Sequence, residues 1–191
     1  MIEGLTFMST PTAVALDPDK LYEIVDGQPE EKEIPGARHS GICARLAIEL
    51  GVYLKANQLG GLYVEGSFQI GGNERIPDLA FVSAVRIPPE GEPDTKWPMP
   101  PDLAVEVISP NDLYEKVYAK VREYLAAGVK QVWLVSPEHH TVTIYRSATN
   151  MTAFPGDGAL VSEDLFPGFC CPLREIFTSP VQTPPLSRQQ A

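Results

Sequence analysis

Apolar and polar positions from Leu21 to Tyr145 fall into runs whose spacing predicts elements. Leu21-Tyr-Glu-Ile-Val25 leads into Asp26-Gly27 and a polar extended stretch through Glu33. Asp-Gly supplies the positive φ of a tight turn, so this pattern predicts a hairpin. From His39 to Leu59, apolar residues recur at Ile42, Leu46, Leu50, Tyr53 and Leu54, and Gly60-Gly61 follows. That spacing predicts an amphipathic helix with a glycine stop. Leu62–Ile70, the turn Gly71-Gly72-Asn73 and Ile76–Val82 read as a further strand pair. Leu103–Ile108 is short and nearly all apolar, as in a strand buried on both faces. Leu113–Ala127 is helical and ends at Gly128, and Gln131–Val135 and Thr141–Tyr145 flank Ser-Pro-Glu-His-His as two more strands. The order predicts an α/β (α+β) fold, a mixed sheet with helices packed on it.

Proline punctuates this pattern. Of the 19 prolines, six fall within Ile87–Pro101, which excludes helix interior and central strand there and predicts a stiff loop. Residues 1–20 and the stretch from Thr178 lack apolar periodicity and read as tails. The expected organisation is an N-terminal tail over 1–20, a folded domain over 21–177 and a Pro-rich C-terminal tail over 178–191.

Charge and cysteine narrow the function classes. The formal net charge of −10, with no long one-sign block, argues against broad electrostatic binding to nucleic acid or an anionic membrane. A local phosphate site survives this count, because a bound divalent cation reverses the sign of a carboxylate cluster. Cys43, Cys170 and Cys171 offer neither a disulfide framework nor a C-x-x-C knuckle, a pattern that suits a reducing cytoplasm. No basic region precedes the weakly apolar N-terminal stretch, and nowhere do about eighteen apolar residues run together. Neither a signal peptide nor a membrane span is expected.

Two carboxylates stand out. Asp78 follows Pro77 at the start of a strand, and Glu106 lies within Leu103-Ala-Val-Glu-Val-Ile108, on one face with Ala104 and Ile108. Burying an unpaired carboxylate costs several kcal/mol. Two remedies stay open here: an ion pair with Lys or Arg, or two hard-oxygen ligands on Mg²⁺ or Mn²⁺. On the following helix, Leu113, Tyr114, Val117, Tyr118, Val121, Tyr124 and Leu125 cover an apolar arc of roughly 140°, with Lys120 about 20° outside its edge. Lys120 either snorkels to solvent or reaches back to the Glu106 strand. Lys116 lies farther round, towards solvent. His139-His140 reads as an exposed turn. Ser109 and Ser136 lack the setting of a nucleophile elbow, and no phosphate-cradling glycine loop occurs.

Ile76-Pro-Asp-Leu-Ala-Phe-Val82, Asp102-Leu-Ala-Val-Glu-Val-Ile-Ser-Pro110 and Lys120-Val-Arg-Glu-Tyr-Leu-Ala-Ala-Gly-Val129, running into Val132-Trp-Leu-Val135, together resemble the Uma-two family of restriction-endonuclease-like proteins, within the PD-(D/E)XK nuclease superfamily. The likeness runs from about Tyr22 to Phe177, and includes Tyr22-Glu-Ile-Val-Asp-Gly27 and Glu31-Lys32, eight residues before His39-Ser40. The resemblance implies a restriction-endonuclease-like mixed central β-sheet flanked by helices. It implies Asp78 and Glu106 as the motif's acids and Lys120 as a lysine that has moved from strand to helix. Position 108, lysine in the standard motif, is Ile108, so the unshifted pattern is excluded; Lys116 stands where many members carry an acid. Also implied are Mg²⁺ (or Mn²⁺) held by Asp78, Glu106 and the Val107 carbonyl, DNA as substrate, phosphodiester hydrolysis and a homodimer. Glu31 is a candidate auxiliary acid, and His39 a candidate phosphate contact. The competing expectation is a catalytically silent nuclease-fold module used for binding or assembly. A loop contact through Ile87–Pro101 and Trp97 is the expected dimer element.

Overall fold

The computed structural model describes residues 16–179, so most of both assigned tails lies outside the described residues. The first hairpin pairs β1 (Tyr22–Val25) with β2 (Gln28–Glu31). Its turn is the expected one, with Asp26 at φ 49° and Gly27 at φ 73°. Helix α1 (Ala37–Asn57) follows, and its Ile42, Leu46, Leu50 and Leu54 are buried at helical spacing.

The end of α1 differs from the glycine stop that the pattern predicts. Gln58 closes the helix at φ 52°, and Gly60-Gly61 open strand β3 (Gly60–Val64). Gly60 is needed by its neighbour strand, because a Cβ there would sit 2.1 Å from the Val82 carbonyl oxygen.

The stretch predicted as one strand from Leu62 to Ile70 is two. The chain breaks at Glu65, which takes φ 51°. Strand β4 (Phe68–Ile70) hairpins with β5 (Asn73–Arg75), while β3 pairs with β6 (Leu79–Ser83). Strands β2-β1-β5-β4 therefore form a small separate sheet. Sequence periodicity shows a strand but not its partner, which is why the division was not legible.

The main sheet adds β7 (Leu103–Val107), β8 (Gln131–Ser136), β9 (Thr141–Tyr145) and β10 (Met151–Phe154) in the order β10-β9-β8-β7-β6-β3. Within this sheet only the β7–β8 pair is parallel, and it is joined through α2 (Tyr114–Ala126), a crossover helix as parallel pairing requires. The chain ends with hairpin β11 (Ala159–Ser162) and β12 (Phe166–Pro172) and the short α3 (Leu173–Phe177). The pattern reading carried no element beyond Tyr145, where the strands are short and partly exposed.

The sheet separates two cores. Leu79, Phe81, Leu103, Val105, Val107 and Trp133 face α1, α3 and the last hairpin. Ala80, Val82, Ala104 and Val132 face α2, Phe68 and Trp97. Each fully buried large apolar side chain stabilises the fold by about 1.5–3 kcal/mol. Trp97 is 4% exposed and stacks on Phe68 at 6.2 Å, so it is a core residue and not the surface contact expected of it. Leu113 and Tyr114, assigned to the buried arc of α2, are 63% and 75% exposed: the helix overhangs the sheet at its first turn. Among the described residues no helix is long and apolar enough to cross a membrane.

Candidate active site

Asp78 immediately precedes β6, where Pro77 ends the extended approach. Its carboxylate is buried between three donors. Oδ2 accepts the Val107 N–H at 2.8 Å and lies 3.0 Å from His39 Nε2. Oδ1 accepts from Lys32 Nζ at 3.0 Å, and the same ammonium donates to the Ile76 carbonyl at 2.8 Å. Burial alone would raise the Asp78 pKa, but the His39 hydrogen bond, the Lys32 charge and the Val107 N–H outweigh it and hold the carboxyl at about 2. The same hydrogen bond to Asp78, with a second contact to Cys43, pushes His39 up to about 10. His39 and Cys43 are one turn apart on α1, with Cys43 Sγ 3.5 Å from His39 Nδ1.

Glu106 projects from β7 on the α2 face, as strand alternation requires. Oε1 accepts the Tyr124 hydroxyl at 2.7 Å and lies 3.0 Å from Lys120 Nζ. Lys120 is shared with Glu23 of β1 at 2.9 Å. Glu23 in turn accepts the Ile76 N–H at 2.8 Å and the Arg75 guanidinium at 3.0 Å, and Arg75 continues to Glu123 of α2. Burial opposes the Lys120 charge, yet Glu106 and Glu23 together raise its pKa above the ordinary value, so it is an ammonium. Burial, reinforced by Asp78, shifts Glu106 upward against the pull of Lys120 and Tyr124.

Leu79 stands opposite Val105 in the β6–β7 ladder, and continuing that register by one residue sets Asp78 against Glu106. The two acids nevertheless open into different recesses. Glu106, Ile108, Lys116 and Lys120 line a cavity of about 310 Å³. Asp78, His39 and Cys43 line another of about 320 Å³. The sheet end thus carries two acids back to back, each with its own cations and its own opening.

Of the residues singled out in the sequence, Asp78, Glu106, Lys120, Val107 and His39 meet at this sheet end. Val107 meets Asp78 through its N–H. Lys120 reaches back to the Glu106 strand. Glu31 lies elsewhere: it is exposed and pairs with Lys20 at 2.8 Å. Strand alternation explains the difference, because residues either side of one another point oppositely, and it is Lys32 that turns inward. Sequence reasoning missed Glu23, Lys32, Arg75 and Tyr124. Glu23 carried a signal, an acid set among Tyr22, Ile24 and Val25 much as Glu106 is set in its own strand. Arg75 and Tyr124 carried none, since their meaning comes from partners on other elements. Exposed His140 stacks on Phe177 at 5.1 Å.

The chain thus has a mixed α/β fold, a sheet with helices on both faces and a parallel β-α-β crossover next to an antiparallel pair. The chain belongs to the family described as "Putative restriction endonuclease" (Uma2), whose model matches residues 9–174. It is similar to a solved structure from Anabaena variabilis ATCC 29413 described as "a putative nuclease belonging to DUF820". That likeness covers 85% of this chain and 93% of the other, with a TM-score of 0.76 and 22% identity, and shows the fold. No curated protein matches the chain.

Proposed function

We propose that this protein is a metal-dependent endonuclease of the PD-(D/E)XK type that hydrolyses DNA phosphodiester bonds. One observation carries the reading: Glu106 on β7 and Lys120 on α2 meet at 3.0 Å beside an open recess, and Asp78 before β6 accepts the N–H of Val107, the residue next to Glu106, at the same sheet end. The names given to the family and to the similar solved structure agree with it. The donor set fits a hard divalent cation, since Asp78, Glu106 and the Val107 carbonyl offer oxygen only. Held by those three, Mg²⁺ or Mn²⁺ supplies charge to polarise the phosphate and lowers the pKa of a water. Lys120 offsets negative charge gathering on the phosphate. Tyr124 orients Glu106, and Glu23 positions Lys120. The reading carries with it a homodimer, whose two sites face two strands, and a cytoplasmic setting.

The test is conversion of supercoiled plasmid to nicked circles in Mg²⁺ or Mn²⁺. Asp78→Asn keeps shape and loses a ligand charge, so nicking and Mn²⁺ affinity should fall together, by tenfold or more, in a folded variant. Nicking at the wild-type rate by that variant would remove Asp78 from the site.

A second reading has its own observation. Both acids carry cations, Lys32 and His39 on Asp78 and Lys120 on Glu106, which is also what a silent binding or assembly module with a buried ion-pair network would show. Such a module nicks nothing, and an ion-pair network alone binds no Mn²⁺.

A further inference from the structure

The His39–Cys43–Asp78 recess holds donors that an Mg²⁺ enzyme has no use for. Imidazole nitrogen and thiol sulfur are poor ligands for magnesium and good ligands for zinc. Here they stand beside a carboxylate, and one donor atom from each of the three residues lies within 4.8 Å of the others. The i, i+4 spacing on α1 presents His39 and Cys43 together, and the end of β6 brings Asp78 to them. The recess of about 320 Å³ leaves room for a fourth ligand, and Glu65 lines it too.

We propose that His39, Cys43 and Asp78 form a second, thiophilic divalent-metal site, taking Zn²⁺ through one imidazole nitrogen, one thiolate sulfur and one carboxylate oxygen. Cys43 gives up its thiol proton and His39 its imidazolium proton to solvent when the S–Zn and N–Zn bonds form, so a neutral imidazole, one thiolate and one carboxylate meet the ion, and the two anions balance its two positive charges. With metal–ligand bonds of about 2.0–2.3 Å, neighbouring donors of a tetrahedral site stand about 3.3–3.8 Å apart. Cys43 Sγ meets that spacing at His39 Nδ1, 3.5 Å away, while Asp78 Oδ2 lies 3.0 Å from the ring's other nitrogen, Nε2, so zinc taken at Nδ1 draws the carboxylate out of that contact and towards the ion. Because Asp78 also belongs to the oxygen site with Glu106, zinc in the recess withdraws a ligand from the nuclease ion. Zn²⁺ is then an inhibitor that competes through Asp78. The binding stands on the donor geometry alone, whereas the competition rests on the nuclease reading.

Co²⁺ reports such a site directly, because a bound thiolate gives a sulfur-to-cobalt charge-transfer absorption. The full chain, with Cys170→Ser removing its exposed thiol, should show that band and saturate at one Co²⁺ per chain. Zn²⁺ should bleach it. Cys43→Ala and, as a second variant in case the first unfolds, Cys43→Ser should lose the band while keeping the wild-type circular dichroism; Glu106→Gln should keep it. In plasmid nicking with Mg²⁺, the Zn²⁺ concentration for half inhibition should rise at least tenfold in the Cys43 variants. Absence of the band in folded protein, or its survival without Cys43, overturns the proposal. A band without any nicking in Mg²⁺ leaves the zinc site standing and sinks the nuclease reading instead.

Discussion

Lys120 is gripped by two carboxylates, Glu106 at 3.0 Å and Glu23 at 2.9 Å, so its removal has a structural and a chemical consequence. Lys120→Ala leaves both acids without that cation and should lower stability by about 3 kcal/mol, read by urea unfolding. It should also abolish most nicking. Ile108 and Lys120 line the same recess, so an ammonium introduced by Ile108→Lys in the Lys120→Ala background aims at the same phosphate-side position. Part of the activity should return, reduced by the loss of Ile108 packing, worth about 2 kcal/mol. Rates of wild type, both single variants and the double variant, each checked for folding, decide the point. A folded double variant no more active than Lys120→Ala would mean that Lys120 acts through structure alone.

At the scale of elements, the junction between α1 and β3 sets the edge of the main sheet. Gly60 sits at φ 150° and faces the Val82 carbonyl where β3 meets β6. Gly60→Ala forces a methyl group against backbone and should cost on the order of 1–3 kcal/mol, the range of overpacked sites. Gly71, in the β4–β5 turn, has nothing within 4 Å of a built Cβ but a φ of 57°, so Gly71→Asn, which tolerates that conformation, should be nearly silent. Denaturation midpoints of the two variants test whether close approach or backbone conformation dictates each glycine. A Gly60→Ala protein as stable as wild type would contradict the registered β3–β6 contact.

For the whole molecule, the ion pair between Asp78 and His39 ties β6 to α1 and shapes stability against pH in metal-free protein. Asp78 is held at about 2 against an ordinary 3.8. Its contribution, about 2 kcal/mol, is complete above the unfolded value and is lost as pH falls through the folded one. His39 is raised from 6.5 to about 10, so its contribution is complete below 6.5 and is lost as pH rises towards 10. One pair is broken at either end, and the two limbs therefore do not add. Urea midpoints in the presence of a chelator should form a plateau from about pH 4 to 6.5 and decline on both sides, and Asp78→Asn should flatten both declines. Unchanged limbs in that variant would assign them to other groups. The proposed dimer is tested at the same scale: sedimentation at micromolar concentration that gives only a 20.9 kDa species excludes it.

Local rules were enough for much of this chain. Asp26-Gly27 specifies its turn, the α1 spacing specifies its buried face, and the apolar run around Glu106 marks a strand covered on both sides, because each depends on neighbours a few residues away. The oddity of Glu106 was equally visible, since a charge inside such a run conflicts with burial at the same position. What the sequence could not contain was pairing. Whether Leu62–Ile70 is one strand or two depends on which strands lie beside it, and Trp97 became core because Phe68 offered it a face. Glu23 meets Lys120 while Glu31 stays exposed for the same reason: the inward position on a hairpin is set by its docking on the rest of the fold. His39, Cys43 and Asp78, 35 residues apart between Cys43 and Asp78, become one donor set only when α1 lies against the end of β6. Covalent spacing governs what a segment prefers, and burial against distant segments decides which of its charges have to meet.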